Sequence, residues 1–121
     1  MQEYEIIFYE DEKGNVPVKD FLDSMDLKMR SKMLLSINII KVQGPLIRMP
    51  YSEELEDGIF ELRAKSGSNI SRILYFFVIG RKIVLTNGFI KKTQGTPKNE
   101  LIRAKKYRSD FYYRKGNNHE R

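Results

Sequence analysis

Past its two helical stretches the chain changes the spacing of its apolar residues, just before residue 60, and that change limits the fold more than any other feature. Before it, Phe21, Leu22 and Met25, and then Leu27, Arg30, Met33, Leu34, Ile37, Ile40 and Lys41, follow helical spacing. After it, Phe60-Glu61-Leu62-Arg63-Ala64-Lys65 alternates with period two, as a half-exposed strand does. Helices that come together and strands that come in a run predict an α+β fold.

The punctuation supports the division. Tyr4 to Tyr9 is short, β-branched and aromatic, and reads as a first strand. Pro17 suits a first helical turn, with Asn15 as its expected cap, and Asp26 is expected to cap a second helix that Gly44-Pro45 stops. The segment with Pro50 and the acidic cluster Glu53 to Gly58 reads as a loop. Ser66-Gly67-Ser68-Asn69 and Gly80-Arg81 read as turns of a meander, in which Ile70 to Ile79 is apolar apart from Ser71 and Arg72 and Lys82 to Ile90 is the last strand. Thr96-Pro97 opens a cation-rich helix expected to run to about Arg114. The expected order is β-α-α-β-β-β-α: an antiparallel sheet, two N-terminal helices on one face, and a C-terminal basic helix. Residues 1–115 are expected to form one domain and 116–121 a flexible tail. The open face is expected to carry Arg63, Lys65, Lys91 and Lys92.

Composition narrows the chemistry. None of the 121 residues is cysteine, which excludes disulfides, thiolate metal sites and cysteine nucleophiles. No long apolar run occurs and the first residues are acidic, so neither a membrane span nor a signal peptide is expected, and the compartment is expected to be the cytoplasm. Residues 1–60 hold 7 Lys/Arg against 12 Asp/Glu, and residues 61–121 hold 15 against 4. So lopsided a charge predicts a polyanionic partner, RNA or DNA first and an acidic protein second. The single histidine, His119, lies near the end of the chain, and no HExxH, GK[ST] or GxSxG motif is present. The carboxylates show no paired spacing, so no metal and no cofactor is expected.

A hydrolysis open to such a chain is RNA transesterification, because the 2′-hydroxyl already stands beside the phosphate to be cleaved. Arg63, Arg72, Lys91 and Lys92 suit stabilisation of the phosphorane. Arg72, inside an apolar strand, needs either a ligand or a structural ion pair, for example with Glu61. Arg63 and Lys65 are equally readable as solvated strand residues, and Lys91-Lys92 as a pair that blunts a strand end. Phe89, Tyr75 and Tyr51 either stack on bases or pack. Lys98, Arg103, Lys105, Lys106 and Arg108 either track a phosphate backbone or solvate the last helix.

Three segments in this order carry a resemblance: Leu55-Glu56-Asp57-Gly58-Ile59-Phe60-Glu61-Leu62-Arg63, then Ser71-Arg72-Ile73-Leu74-Tyr75-Phe76, then Thr86-Asn87-Gly88-Phe89-Ile90-Lys91-Lys92-Thr93-Gln94-Gly95-Thr96-Pro97. With the basic helix that follows, the chain resembles the phage-derived branch of the RelE/HigB-type toxin superfamily. The resemblance implies a toxin of a type II toxin–antitoxin pair that cleaves mRNA on the ribosome and so inhibits translation and growth. It implies as partners an antitoxin with a helix-turn-helix DNA-binding domain, mRNA and the ribosome. It also implies that Arg72 contacts the scissile phosphate and that Lys92 holds the place of a second basic catalytic group. Where several relatives carry a Tyr, or an Asp and His pair, this chain has Thr93 to Pro97, so the proton carrier is left open between a lysine of lowered pKa and the ribosome, with Tyr107 and Tyr112 on the final helix as remoter candidates. The rival expectations are a non-catalytic RNA- or ribosome-binding module and a docking surface for an acidic protein.

Overall fold

The computed structural model describes residues 2–47, 51–91 and 95–119, with side chains to residue 116. Along the chain run β1 (Glu5–Phe8), α1 (Pro17–Ser24), α2 (Leu27–Gln43), a 3₁₀ turn (Gly44–Leu46), β2 (Ser52–Glu56), β3 (Ile59–Ser66), β4 (Asn69–Val78), β5 (Lys82–Lys91) and α3 (Lys98–His119). The fold is α+β, as expected. Asp26 caps α2, its Oδ1 accepting from the Met29 N–H at 2.8 Å. Asn15 does not cap α1. Its N–H and Nδ2 donate to the Asp11 carboxylate at 2.8 and 3.1 Å, and Val16 stands at the cap position instead.

The five strands lie in the order β1-β5-β4-β3-β2. Two points differ from expectation. The acidic segment read as a loop contains β2, which pairs antiparallel with β3 through a two-residue turn. Asp57 and Gly58 there have φ of 52° and 74°, the primed turn geometry whose twist suits a hairpin. And β1 runs parallel to β5, so the sheet is mixed at one edge while its other pairs are antiparallel.

On one face α1 and α2 bury Val18, Leu22, Met29, Met33, Ile37 and Ile40 against Leu62, Ile73, Tyr75, Ile83 and Leu85. Gly88 permits this approach, because a Cβ there would lie 2.3 Å from the Phe21 ring. The opposite face is not left open. α3 packs there, with Ala104 buried against Ile59, Leu74, Phe76 and Val84, and with Leu101, Tyr107 and Phe111 around it. The far half of α3 is fixed to the chain after β1, where the Tyr9 hydroxyl donates to Asp110 at 2.6 Å and its ring stacks on Tyr107 at 4.5 Å. Burial and the Asp110 carboxylate push the Tyr9 phenol up to about 12. α3 continues to His119 instead of ending near Arg114, since Gly116 and the asparagines weaken a helix without removing the N–H that continues it. Among the described residues no helix is long and apolar enough to cross a membrane.

Candidate functional site

The register of β3, β4 and β5 lays three rows of side chains across the α3 face. Glu61, Leu74 and Asn87 form the first row, Arg63, Arg72 and Phe89 the second, and Lys65, Ile70 and Lys91 the third. The first turn of α3 reaches the first row, where Asn87 Nδ2 donates to the Glu100 carbonyl and to its Oε1 at 3.2 and 3.0 Å. In the second row Phe89 still packs against the cluster that α3 covers, and the charged side chains follow from there. Period-two alternation thus carries one set of side chains from beneath α3 into a cationic field.

Arg63 and Arg72 are direct cross-strand partners, an arrangement that is destabilising unless something neutralises it. Glu61 does so. Its carboxylate is 0% exposed; Oε2 takes Arg63 Nε at 3.1 Å and an ion pair with Arg72 Nη1, while Oε1 accepts from Thr96 Oγ1 at 2.5 Å. Arg63 also pairs with Glu53. Arg72 is only 4% exposed, and its Nε has no hydrogen-bond partner among the described residues. Burial lowers its pKa, with Glu53 acting in the opposite sense. The Lys91 ammonium is also held below the usual lysine value, first by desolvation and then by Arg72 and Arg63, with Glu53 opposing.

A groove of about 590 Å³ opens beside these cations at the end of β3. Leu35, Ala64 and Ile70 supply its apolar lining, Ser36 and Tyr51 its neutral polar groups, and Lys32, Arg63, Lys65, Arg72 and Lys91 its charge. An apolar hollow bordered by fixed cations suits a ligand that joins an anion to a flat apolar group.

The residues singled out by sequence fall into three sets. Arg63, Lys65, Arg72, Phe89 and Lys91 come together in rows two and three, and Tyr51, 43% exposed, lines the groove beside them. Tyr75 does not join them. It is fully buried on the α1–α2 face, bonded to the Ser52 hydroxyl at 2.5 Å, and its own hydroxyl is pushed up to about 12 by burial, so stacking on a base is ruled out for it. The cations of α3 lie along the helix. Arg103 pairs with Glu100 at 3.1 Å, Lys105 with Glu56 at 2.5 Å and Arg108 with Asp57 at 2.8 Å, the last two tying α3 to the β2–β3 hairpin. Lys98 and Lys106 are exposed and form no ion pair among the described residues. Lys92 lies outside the described residues. Glu61, which the sequence offers only as a counter-ion for Arg72, forms that ion pair and belongs to the site, its place two residues before Arg63 putting it on the same face of the strand. Among the described residues no three His, Asp or Glu side chains converge as metal ligands would.

Fold and site together define a small α+β protein that gathers paired arginines and a lysine on one face of its sheet. Residues 20–109 match the family described as phage derived protein Gp49-like (DUF891), and the chain belongs to that family, one associated with RelE/HigB-like toxins of toxin–antitoxin systems. No curated protein matches the chain.

Proposed function

We propose that the protein is the toxin of a type II toxin–antitoxin pair, an endoribonuclease of the cytoplasm that cleaves mRNA on the ribosome without a metal. The carrying observation is the second row: two arginines in direct register, one with a buried Nε that has no partner among the described residues, opening on a groove of about 590 Å³. A scissile phosphate placed there receives donors from Arg63 and Arg72, and an adjoining base lies in the groove against Leu35, Ile70 and Tyr51. The 2′-oxygen bonds to phosphorus as it loses its proton, the bond to the 5′-oxygen breaks, and that oxygen takes a proton, leaving a 2′,3′-cyclic phosphate. The arginines stabilise the charge that builds on the non-bridging oxygens. Lys91, whose ammonium desolvation and then Arg72 and Arg63 hold below the usual lysine value, is the described group assigned to move the proton. Lys92, by the family likeness, stands as a second basic group.

The antitoxin, a protein with a helix-turn-helix DNA-binding domain, has a surface to cover. Leu27, Leu34, Leu35 and Val42 line the outer side of α2, 47% to 73% exposed, as an apolar helix face that the described residues leave open. A second reading, a non-catalytic RNA- or ribosome-binding module, is favoured by the ion pair that occupies Arg72 Nη1.

Expression of the chain alone separates the two. Growth arrest with message fragments ending in 2′,3′-cyclic phosphate supports cleavage, and RNA binding without fragments supports the module. Arg72→Lys, which keeps the charge and loses the planar fork, is expected to cut cleavage by roughly 10²–10³, the scale for one lost transition-state donor. Arg72→Ala is expected to relieve the arrest in a protein that still folds. Undiminished arrest in a folded Arg72→Ala removes this residue from the mechanism.

A further inference from the structure

Glu61 is held from three elements. Arg63 on β3 and Arg72 on β4 share its Oε2, and Thr96, in the segment leading into α3, donates to its Oε1 at 2.5 Å. A buried carboxylate could simply brace the fold, but two features assign it more. Arg72 reaches Glu61 through Nη1 alone, and its Nε stays buried with no partner among the described residues, so the pair fixes the guanidinium without saturating it. Arg63 and Arg72 stand directly opposite, and without a negative charge between them their repulsion would turn the two forks apart.

We propose that Glu61 is a positioning residue that sets the two guanidinium groups for a phosphate while weakening their hold on the RNA before reaction. The inference rests on the reading that Arg63 and Arg72 receive a phosphate. A carboxylate beside them repels the RNA backbone at every stage. Its orienting effect, however, counts most where geometry is most demanding, in the transition state. Removing the charge and keeping the shape therefore moves binding and turnover in opposite directions, which a residue that only braces the fold would not do.

Glu61→Gln is the direct test. Binding is measured with a single-stranded 2′-O-methyl RNA oligonucleotide, which cannot be cleaved, and turnover as single-turnover cleavage of ribosome-bound message. The variant is expected to bind the oligonucleotide ~2–10-fold tighter at low salt, from the loss of one repelling charge, and to cleave at least ~30-fold more slowly, as misplacement of reacting groups does. The Arg72 Nε–Hε NMR signal is expected to be sharp and slow to exchange in the parent and to broaden in the variant. Thr96→Val and Glu61→Asp keep the charge but loosen or retract the carboxylate; both are expected to slow cleavage with no gain in affinity, and they decide the matter if Glu61→Gln does not fold. Cleavage at the parent rate in Glu61→Gln, or rate and affinity falling together, overturns the proposal. If the parent chain never cleaves, yet Glu61→Gln binds tighter and loses the Arg72 signal, the toxin reading falls and the positioning role stands.

Discussion

One face of β4 contains two surfaces of opposite character. Leu74, Phe76 and Val78 lie beneath α3 among Ile59, Val84 and Ala104, whereas Arg72 and Ile70, on the same side of the same strand, lie beyond the helix between Arg63, Lys65 and Lys91. Exposure does not distinguish the two ends, since Leu74 is 0% and Arg72 4% exposed. What differs is how each burial is sustained. An apolar side chain gains by leaving water, while a guanidinium can be buried only beside a counter-charge, and Glu61 is that counter-charge. The helix-covered end holds the fold, and the other end keeps a charge cluster in which Arg72 Nε has no partner among the described residues.

The comparison can be broken most directly through stability. Leu74→Ala, which opens a cavity under α3, is expected to lower stability by about 2–5 kcal/mol, and Ala104→Glu, which places a charge in the same contact, to prevent α3 from docking. Lys65→Ala at the other end is expected to change stability by no more than about 0.5 kcal/mol. Urea denaturation followed by circular dichroism measures all three. Equal losses at the two ends would abolish the distinction.

RNA affinity should show the reverse order. Lys65→Ala is expected to weaken binding of a single-stranded oligonucleotide several-fold and to reduce the magnitude of the log–log salt slope by about 0.7, the value for one lost phosphate contact. Lys106→Ala, on α3, is expected to change the slope less. An equal change for Lys106 would extend the RNA track along the helix.

The covered end was legible in the sequence only in part. The nearly continuous apolar run of Ile70 to Ile79 suits a strand covered on both faces, yet the cations of α3 conceal Leu101, Ala104, Tyr107 and Phe111, whose spacing marks the stripe that covers it. β2 was hidden by Glu53, Glu54 and Glu56, poor strand formers that are tolerable on an exposed edge, although Asp57-Gly58 was a hairpin signal in plain view. At the uncovered end, alternation alone placed Arg63 and Lys65 on one side, and Arg72 inside an apolar strand called for a partner. The direct register of Arg63 with Arg72, the Thr96 bond and the groove depend on pairing and helix placement, which one strand's residues do not encode.

A smaller effect is expected in the groove. Leu35 is 61% exposed and carries little of the core, so Leu35→Ala is expected to fold normally. It should weaken RNA binding only about two- to five-fold, the scale of one lost apolar contact with a base. The salt slope is expected not to change, because no phosphate contact is removed. An abasic nucleotide at the sensitive position should erase the difference between parent and variant. If the difference persists with abasic RNA, the groove does not hold a base, and its apolar lining belongs with the α2 stripe as protein-binding surface.

The smallest expected effect tests Lys91. Its pKa lies below the ordinary 10.5 through desolvation and the repulsion of Arg72 and Arg63. As pH rises, the free protein therefore loses this charge earlier than an ordinary lysine would. In the window between the lowered value and 10.5 the unfolded chain binds more protons than the folded one, so through this group stability rises with pH. RNA affinity should move the other way across the same window, because the phosphate binds the protonated form and must restore the proton. Lys91→Arg stays charged throughout and should bind a 2′-O-methyl oligonucleotide with a flatter alkaline limb than the parent. Matching limbs in the two proteins would place Lys91 outside the phosphate's reach and shift the proton-transfer role away from it.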